Sequence, residues 1–214
     1  MKKLVFSLIA MIAFALLAVP AGATMQYYTS QSAWAAATSG VYTIDFNDIA
    51  VSGNYNDYSI TGLHLHNVDF TADVPVDYLW VIRGGTTDDV YNSWGAGNNF
   101  LRGSTWGTRY IQAALPEGVF ALSMQLLTNV YGGTVTFNFS TGDTYVMSTT
   151  NDTSPDFIGF VFDQPVEWVR LDSNQSFAAL DNFAYAETPE ANTVLLGGIG
   201  LVALWVARLL RRYC

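Results

Sequence analysis

Several residues of this 214-residue chain are of types and spacings that could do chemistry. The stretch Tyr91–Tyr110, YNSWGAGNNFLRGSTWGTRY, combines aromatic rings with glycine and asparagine. Tyr91, Trp94, Trp106 and Tyr110 offer flat apolar faces on which a sugar ring stacks, while Arg102, Arg109 and the asparagines could bond its hydroxyls. The same aromatics could instead plug one end of an apolar core beneath a long loop. His64 and His66 sit two residues apart, which places them on one strand face with a spacing able to hold zinc or copper. No third ligand accompanies them, and solvent-facing histidines are the expectation. Catalytic signatures are missing: the chain has no G-x-S-x-G elbow, H-E-x-x-H helix or phosphate-binding loop. Asp88 and Asp89 are a carboxylate pair of the kind glycoside hydrolysis needs. Adjacent residues point apart, however, so the pair reads as a solvated turn, and no enzymatic activity is expected.

A second group is acidic. Asp181 lies in Leu180-Asp181-Asn182-Phe183, and strict alternation would put its carboxylate on the same strand face as Phe183 and Tyr185. This pattern resembles the last strand of many carbohydrate-binding-type jelly rolls. Ile44-Asp45-Phe46-Asn47-Asp48 loosely resembles their first strand. The resemblance implies that the two strands are neighbours, in which case Asp45, Asp48 and Asp181 could contribute to one Ca²⁺ site. Such an ion takes six to eight oxygens at roughly 2.3–2.6 Å. Alternatively, these side chains cap turns and accept backbone N–H bonds, and no EF-hand spacing supports the metal.

The elements that must position these residues are mostly strands. TSQSAWAAATS, from Thr29 to Ser39, predicts one short helix with Thr29 or Ser30 as N-cap and Gly40 as its end. Beyond it the periodicity becomes two. Tyr42, Ile44 and Phe46 alternate with polar positions, as do Phe120, Leu122, Met124 and Leu126, and then Val135, Phe137 and Phe139. Phe157–Phe162 is continuously apolar, as suits a strand covered on both faces. Val166–Leu171 and Phe177–Tyr185 complete about ten strands separated by Gly, Asn and Asp clusters. Many short strands without helical crossovers predict an all-β fold, an antiparallel β-sandwich of jelly-roll-like form. Leu63 and Leu65 are out of phase with Val68 and Phe70, and a β-bulge near His66–Asn67 would reconcile them.

Composition limits the partners. Between Thr24 and Thr188 lie all but Glu190 of the 18 acidic residues, seventeen carboxylates against four arginines, a net charge of −13 with no lysine. Such a surface repels nucleic acid and attracts divalent cations. The single cysteine, Cys214, leaves this body without a disulfide, so its stability must come from its core.

The two ends supply an address. Lys2 and Lys3, an apolar run from Leu4 to Val19 and the Ala21-Gly22-Ala23 site have the three parts of a secretory signal peptide, residues 1–23. At the other end, residues 194–210 predict a transmembrane helix of roughly 25 Å at 1.5 Å per residue. Arg208, Arg211 and Arg212 follow or flank it and favour the cytoplasmic side, placing the body across the membrane. Thr188-Pro189-Glu190-Ala191-Asn192, a short Gly/Leu-rich span and terminal arginines together resemble the PEP-CTERM sorting tail of exosortase-dependent bacterial surface proteins. Many members have a second proline where Ala191 stands, and Tyr213-Cys214 extend beyond the arginines. The resemblance covers about the last 27 residues, 188–214. It implies docking in the membrane through the tail, handling by exosortase-type machinery and delivery to the surface or extracellular matrix. An ordinary, unprocessed single-pass anchor would give the same topology. The expected function of the body, residues 24–187, is binding to or building into extracellular polysaccharide. The alternatives are a secreted carbohydrate-active hydrolase and a self-associating structural protein.

Overall fold

The computed structural model describes residues 24–72, 78–86, 96–104, 109–127, 133–149, 154–174 and 177–189. The expected signal peptide, residues 1–23, and the expected transmembrane helix, residues 194–210, lie outside these residues. The described chain forms one short helix and fourteen strands. They are β1 (Met25–Tyr28), α1 (Gln31–Ala36), β2 (Thr38–Ile44), β3 (Tyr55–Asp57), β4 (Leu63–Leu65), β5 (Val68–Ala72), β6 (Leu79–Arg83), β7 (Asn99–Ser104), β8 (Arg109–Ala114), β9 (Ala121–Leu127), β10 (Gly133–Phe139), β11 (Thr144–Thr149), β12 (Asp156–Phe162), β13 (Trp168–Ser173) and β14 (Phe177–Pro189). The larger sheet runs β1-β12-β9-β14-β7-β6-β3, with β2 also paired to β14; the smaller runs β11-β10-β13-β8-β5-β4. All these pairings are antiparallel. The fold is all-β and β-sandwich-like.

Alternation explains which side chains fill the space between the sheets. Val135, Phe137 and Phe139 of β10 and Leu122, Met124 and Leu126 of β9 are all buried in one core, as their period-two spacing requires. Rings from the two sheets interdigitate: Phe137 and Phe139 of β10 meet Phe160 of β12 at centroid distances of 5.1 and 4.9 Å. Phe70 of β5 meets Phe183 of β14 edge-on at 5.3 Å. Such tilted and edge contacts match the ring quadrupoles, adding to the area they bury.

The phase break at His66–Asn67 has a different cause from the expected bulge. Both residues have left-handed backbones, φ 48° and 63°, and form a two-residue hairpin turn between β4 and β5. Positive φ at both central positions is the type I′ geometry whose twist matches paired strands. Leu63 then opposes Phe70 and Leu65 opposes Val68, so all four share a face. The Tyr185 hydroxyl donates to the His66 carbonyl at 2.9 Å and ties this turn to the opposite sheet.

The helix is shorter than expected. The hydroxyl of Thr38 and the backbone N–H of Ala37 both donate to the Trp34 carbonyl at 3.0 Å, closing α1 before Gly40, which lies inside β2. α1 lies over the outer face of the larger sheet. There Trp34 packs with Ala121, Ala184 and Ala186 and donates its indole N–H to the Phe160 carbonyl at 3.2 Å. Gly159 makes the approach possible, because a Cβ there would stand 2.5 Å from Trp34 Cδ1. The apolar run Phe157–Phe162 is thus covered on both sides, by the core and by α1.

At the other end of the body, β14 runs farther than the alternation suggested. The strand expected to end at Tyr185 continues: Ala186 pairs with Val41, Thr188 opposes Ser39 and Pro189 opposes Thr38. Thr188 and Pro189, the first two residues of the segment expected to be a sorting motif, therefore belong to the sheet.

Candidate functional site

β3 is a three-residue edge strand, and its pairing with β6 sets Tyr55 opposite Ile82 and Asp57 opposite Trp80. Tyr55, Asp57, Trp80 and Ile82 consequently share a face. Tyr55 stacks on Trp80 at 4.3 Å with 20° between the ring planes, and Tyr78 lies against Trp80 at 4.5 Å. Both tyrosines are exposed, Tyr55 by 40% and Tyr78 by 44%. The three rings form a stacked row at the margin of the sheet. Beneath it, Trp80 packs on Ile82, Phe100, Leu127 and Ala179, which anchors the row to the sheet's outer face.

Asp57 supplies a fixed charge at the row. Burial works against its ionised form, but the Ser59 hydroxyl and the Ser59 backbone N–H, the latter at 2.9 Å, outweigh it and hold the carboxyl below its usual range. The Trp80 indole N–H is close enough to favour the same charge, yet it falls outside hydrogen-bond geometry and is buried without a partner. An open groove lined by Ser52–Tyr58 runs beside the row. Flat rings, an ionised acceptor and an open groove can hold a sugar chain by stacking and hydroxyl hydrogen bonds.

This row is not where the sequence placed the platform. Tyr91, Trp94 and Trp106 lie outside the described residues, as do Asp88 and Asp89. Arg109 begins β8 opposite Ser173, and Tyr110 follows it opposite Asp172. The ring of Tyr110 lies under the Arg170 guanidinium, 5.0 Å from Cζ to centroid. Arg170 also bonds Asp172 at 3.0 Å, so this cation is held within the smaller sheet. Tyr55 and Trp80 are 25 residues apart in the chain, with the β4–β5 hairpin between them. Only the edge pairing joins them, and the aromatic residue type at each position carries no mark of the other.

Asp45 and Asp181 are near enough to repel each other, whereas Asp48 turns toward His66. Asp45 Oδ1 accepts the Asn47 backbone N–H at 3.1 Å, and Asp48 Oδ2 reaches toward His66 Nε2 at 3.8 Å. His64 pairs instead with Asp69, Nδ1 to Oδ1 at 2.7 Å, so the two histidines face different carboxylates and do not converge. Both histidines are exposed. Among the described residues no three His, Cys, Asp or Glu side chains gather into a metal-holding group.

Asp181 differs from expectation in its face. The register between β14 and β9 slips between Asp181 and Ala184, and Asn182 at φ 50° takes the extra position of a bulge. Asp181 therefore opposes Gln125 on the outer face, whereas Phe183 and Tyr185 turn into the core. The bulge sits where β14 changes neighbours: β7 pairs with residues up to Leu180, and β2 pairs from Phe183 onward. Held in this fork, Asp181 is only 3% exposed. Burial pushes its carboxyl up to about 7, against the Asn182 backbone N–H that donates to it at 2.7 Å, and repulsion from Asp45 adds to the rise.

Of the tail, Glu190, Ala191, Arg208, Arg211 and Arg212 lie outside the described residues. No known protein-family model matches the chain, and no curated protein matches its sequence.

Proposed function

We propose that this chain is an exported surface or extracellular-matrix protein, delivered by an exosortase-type sorting system, whose β-sandwich body binds extracellular polysaccharide. The observation that carries the binding half is the stacked row of Tyr55, Trp80 and Tyr78, two of its rings exposed on a sheet edge beside the charged Asp57. The address rests on the two chain ends, a signal-like segment before the body and a PEP-CTERM-like tail after it. An anionic body without lysine suits a neutral glycan better than a nucleic acid. Any calcium bound would draw on Asp45 and Asp181, which repel each other across the fork. A jelly-roll topology is the finer form of fold this reading favours.

Binding is tested by titrating the chain with a panel of soluble polysaccharides while following tryptophan fluorescence. Trp80→Ala is expected to weaken the best ligand by about tenfold or more, from the loss of roughly 1–3 kcal/mol of stacking at a central anchor. Equal affinity in wild type and variant, or no response to any glycan, would remove the row from the function.

Sorting is tested in the host. Replacing Arg208, Arg211 and Arg212 together with alanine is expected to leave the protein unprocessed and misdirected, because the cationic end no longer sets the orientation of the span. Unchanged localisation and an unchanged mature mass would count against a sorting tail.

A further inference from the structure

Between α1 and the outer face of the larger sheet lies a partly enclosed cavity of about 200 Å³. At about 30 Å³ per water it has room for six or seven waters, which is the scale of one small molecule and below that of a drug-sized ligand. Its floor is made of small side chains, Ser123 and Ala184, facing each other across β9 and β14. Trp34 and Phe157 form an aromatic corner at one side, 6.5 Å apart and edge to face. Gln125 and Asn182 form the other side.

The polar groups around this space are organised. Asn182 Nδ2 donates to Gln125 Oε1 at 2.9 Å and lies 3.4 Å from Asp181 Oδ2, so both of its protons are directed. That leaves Gln125 Nε2 as a donor and Asn182 Oδ1 as an acceptor on two side chains that are hydrogen-bonded to each other. Two adjacent hydroxyls of a sugar ring present the complementary pair, one accepting and one donating. Ser123, 2% exposed, makes no side-chain hydrogen bond to another described residue, and neither does Thr43 at the rim. Both hydroxyls line the cavity and can exchange hydrogen bonds with a ligand hydroxyl. None of the described residues lining the cavity is charged, so its chemistry selects a neutral polyhydroxylated molecule over an anion or a cation.

We propose that this cavity binds a single neutral sugar residue, either free or at the end of a chain, with its vicinal hydroxyls on Gln125 and Asn182 and its apolar face toward Trp34 and Phe157. The inference rests on and deepens the polysaccharide reading but uses a different part of the larger sheet's outer face from the Tyr55–Trp80–Tyr78 row. The row would hold the length of a chain, and the cavity its end.

The test titrates the full chain with free monosaccharides, neutral hexoses and pentoses beside glucuronate and glucosamine, read by saturation-transfer NMR and calorimetry. At least one neutral sugar is expected to bind. Gln125→Leu is expected to weaken it tenfold or more. Thr43→Phe, which narrows the rim from an exposed position, is expected to block it while the circular dichroism spectrum stays that of the wild type. Trp80→Ala is expected to leave monosaccharide affinity unchanged, although it weakens polysaccharide binding by the row about tenfold or more. The cavity proposal is overturned if no neutral monosaccharide binds, if the charged sugars bind equally well, or if Gln125→Leu and Thr43→Phe bind like wild type. Polysaccharide binding that survives in Thr43→Phe but fails in Trp80→Ala, with no monosaccharide bound by any form, would retain the row and discard the cavity.

Discussion

Replacing Trp34 with alanine is expected to lower the unfolding free energy by about 3–5 kcal/mol, the range for truncating a buried tryptophan. Trp34 is 3% exposed, although it belongs to a helix of only six residues that has no side-chain cap. Such a helix has no stability of its own, and docking on the sheet must hold it. The docking rests on the Gly159 gap and the bond to the Phe160 carbonyl. Gly159→Ala should therefore cost about 1–3 kcal/mol in wild type, since the new Cβ would overlap the indole and nothing beneath it can retreat from a paired strand. In the Trp34→Ala background the same change should cost close to nothing. A double-mutant cycle by urea unfolding, followed by circular dichroism, measures the coupling. Additive effects would show that the two residues do not depend on each other.

The second large effect is a pH dependence. Asp181 moves from an ordinary 3.8 to about 7 on folding, chiefly through burial. The native state thus binds more protons than the unfolded chain between those values, and its stability falls as pH rises. The favourable contribution is complete below about 3.8 and is lost as pH passes 7. At about 1.4 kcal/mol per pH unit, the total is about 4 kcal/mol between pH 4 and pH 8. Asp181→Asn keeps an acceptor for the Asn182 N–H and removes the charge. The variant should match wild type near pH 4 and exceed it by about that amount at pH 8. Asp45→Asn should reduce the dependence without abolishing it, because repulsion is the smaller cause. Parallel stability–pH curves for wild type and Asp181→Asn would refute the buried-carboxyl account. Added Ca²⁺ offers a further check, since an ion at the fork would stabilise the ionised form and flatten the wild-type curve.

Much of the strand architecture was legible because alternation is a property of the residues themselves. Val135-Phe137-Phe139 and Leu122-Met124-Leu126 turn inward wherever their strands pair, and the double coverage of Phe157–Phe162 followed from its uninterrupted apolar character. Errors gathered where the phase changes. A left-handed residue costs one position and reverses every side chain beyond it, so Asp181 was assigned to the face of Phe183 when the bulge at Asn182 separates them. At His66–Asn67 a turn of the chain produces the same reversal of faces as the expected bulge would.

Sequence alone determined the strand-rich character of the body, its inward faces, its acidity without lysine and its lack of any disulfide. Each of these is local or additive and needs no knowledge of neighbours. Tertiary structure decided which distant residues meet: Tyr55 with Trp80 at an edge, Trp34 over Gly159, and Asp181 in the fork between β7 and β2. Pairing register and sheet order are non-local quantities, settled by which strands share an apolar interior, and the residue types at these positions carry no mark of their partners.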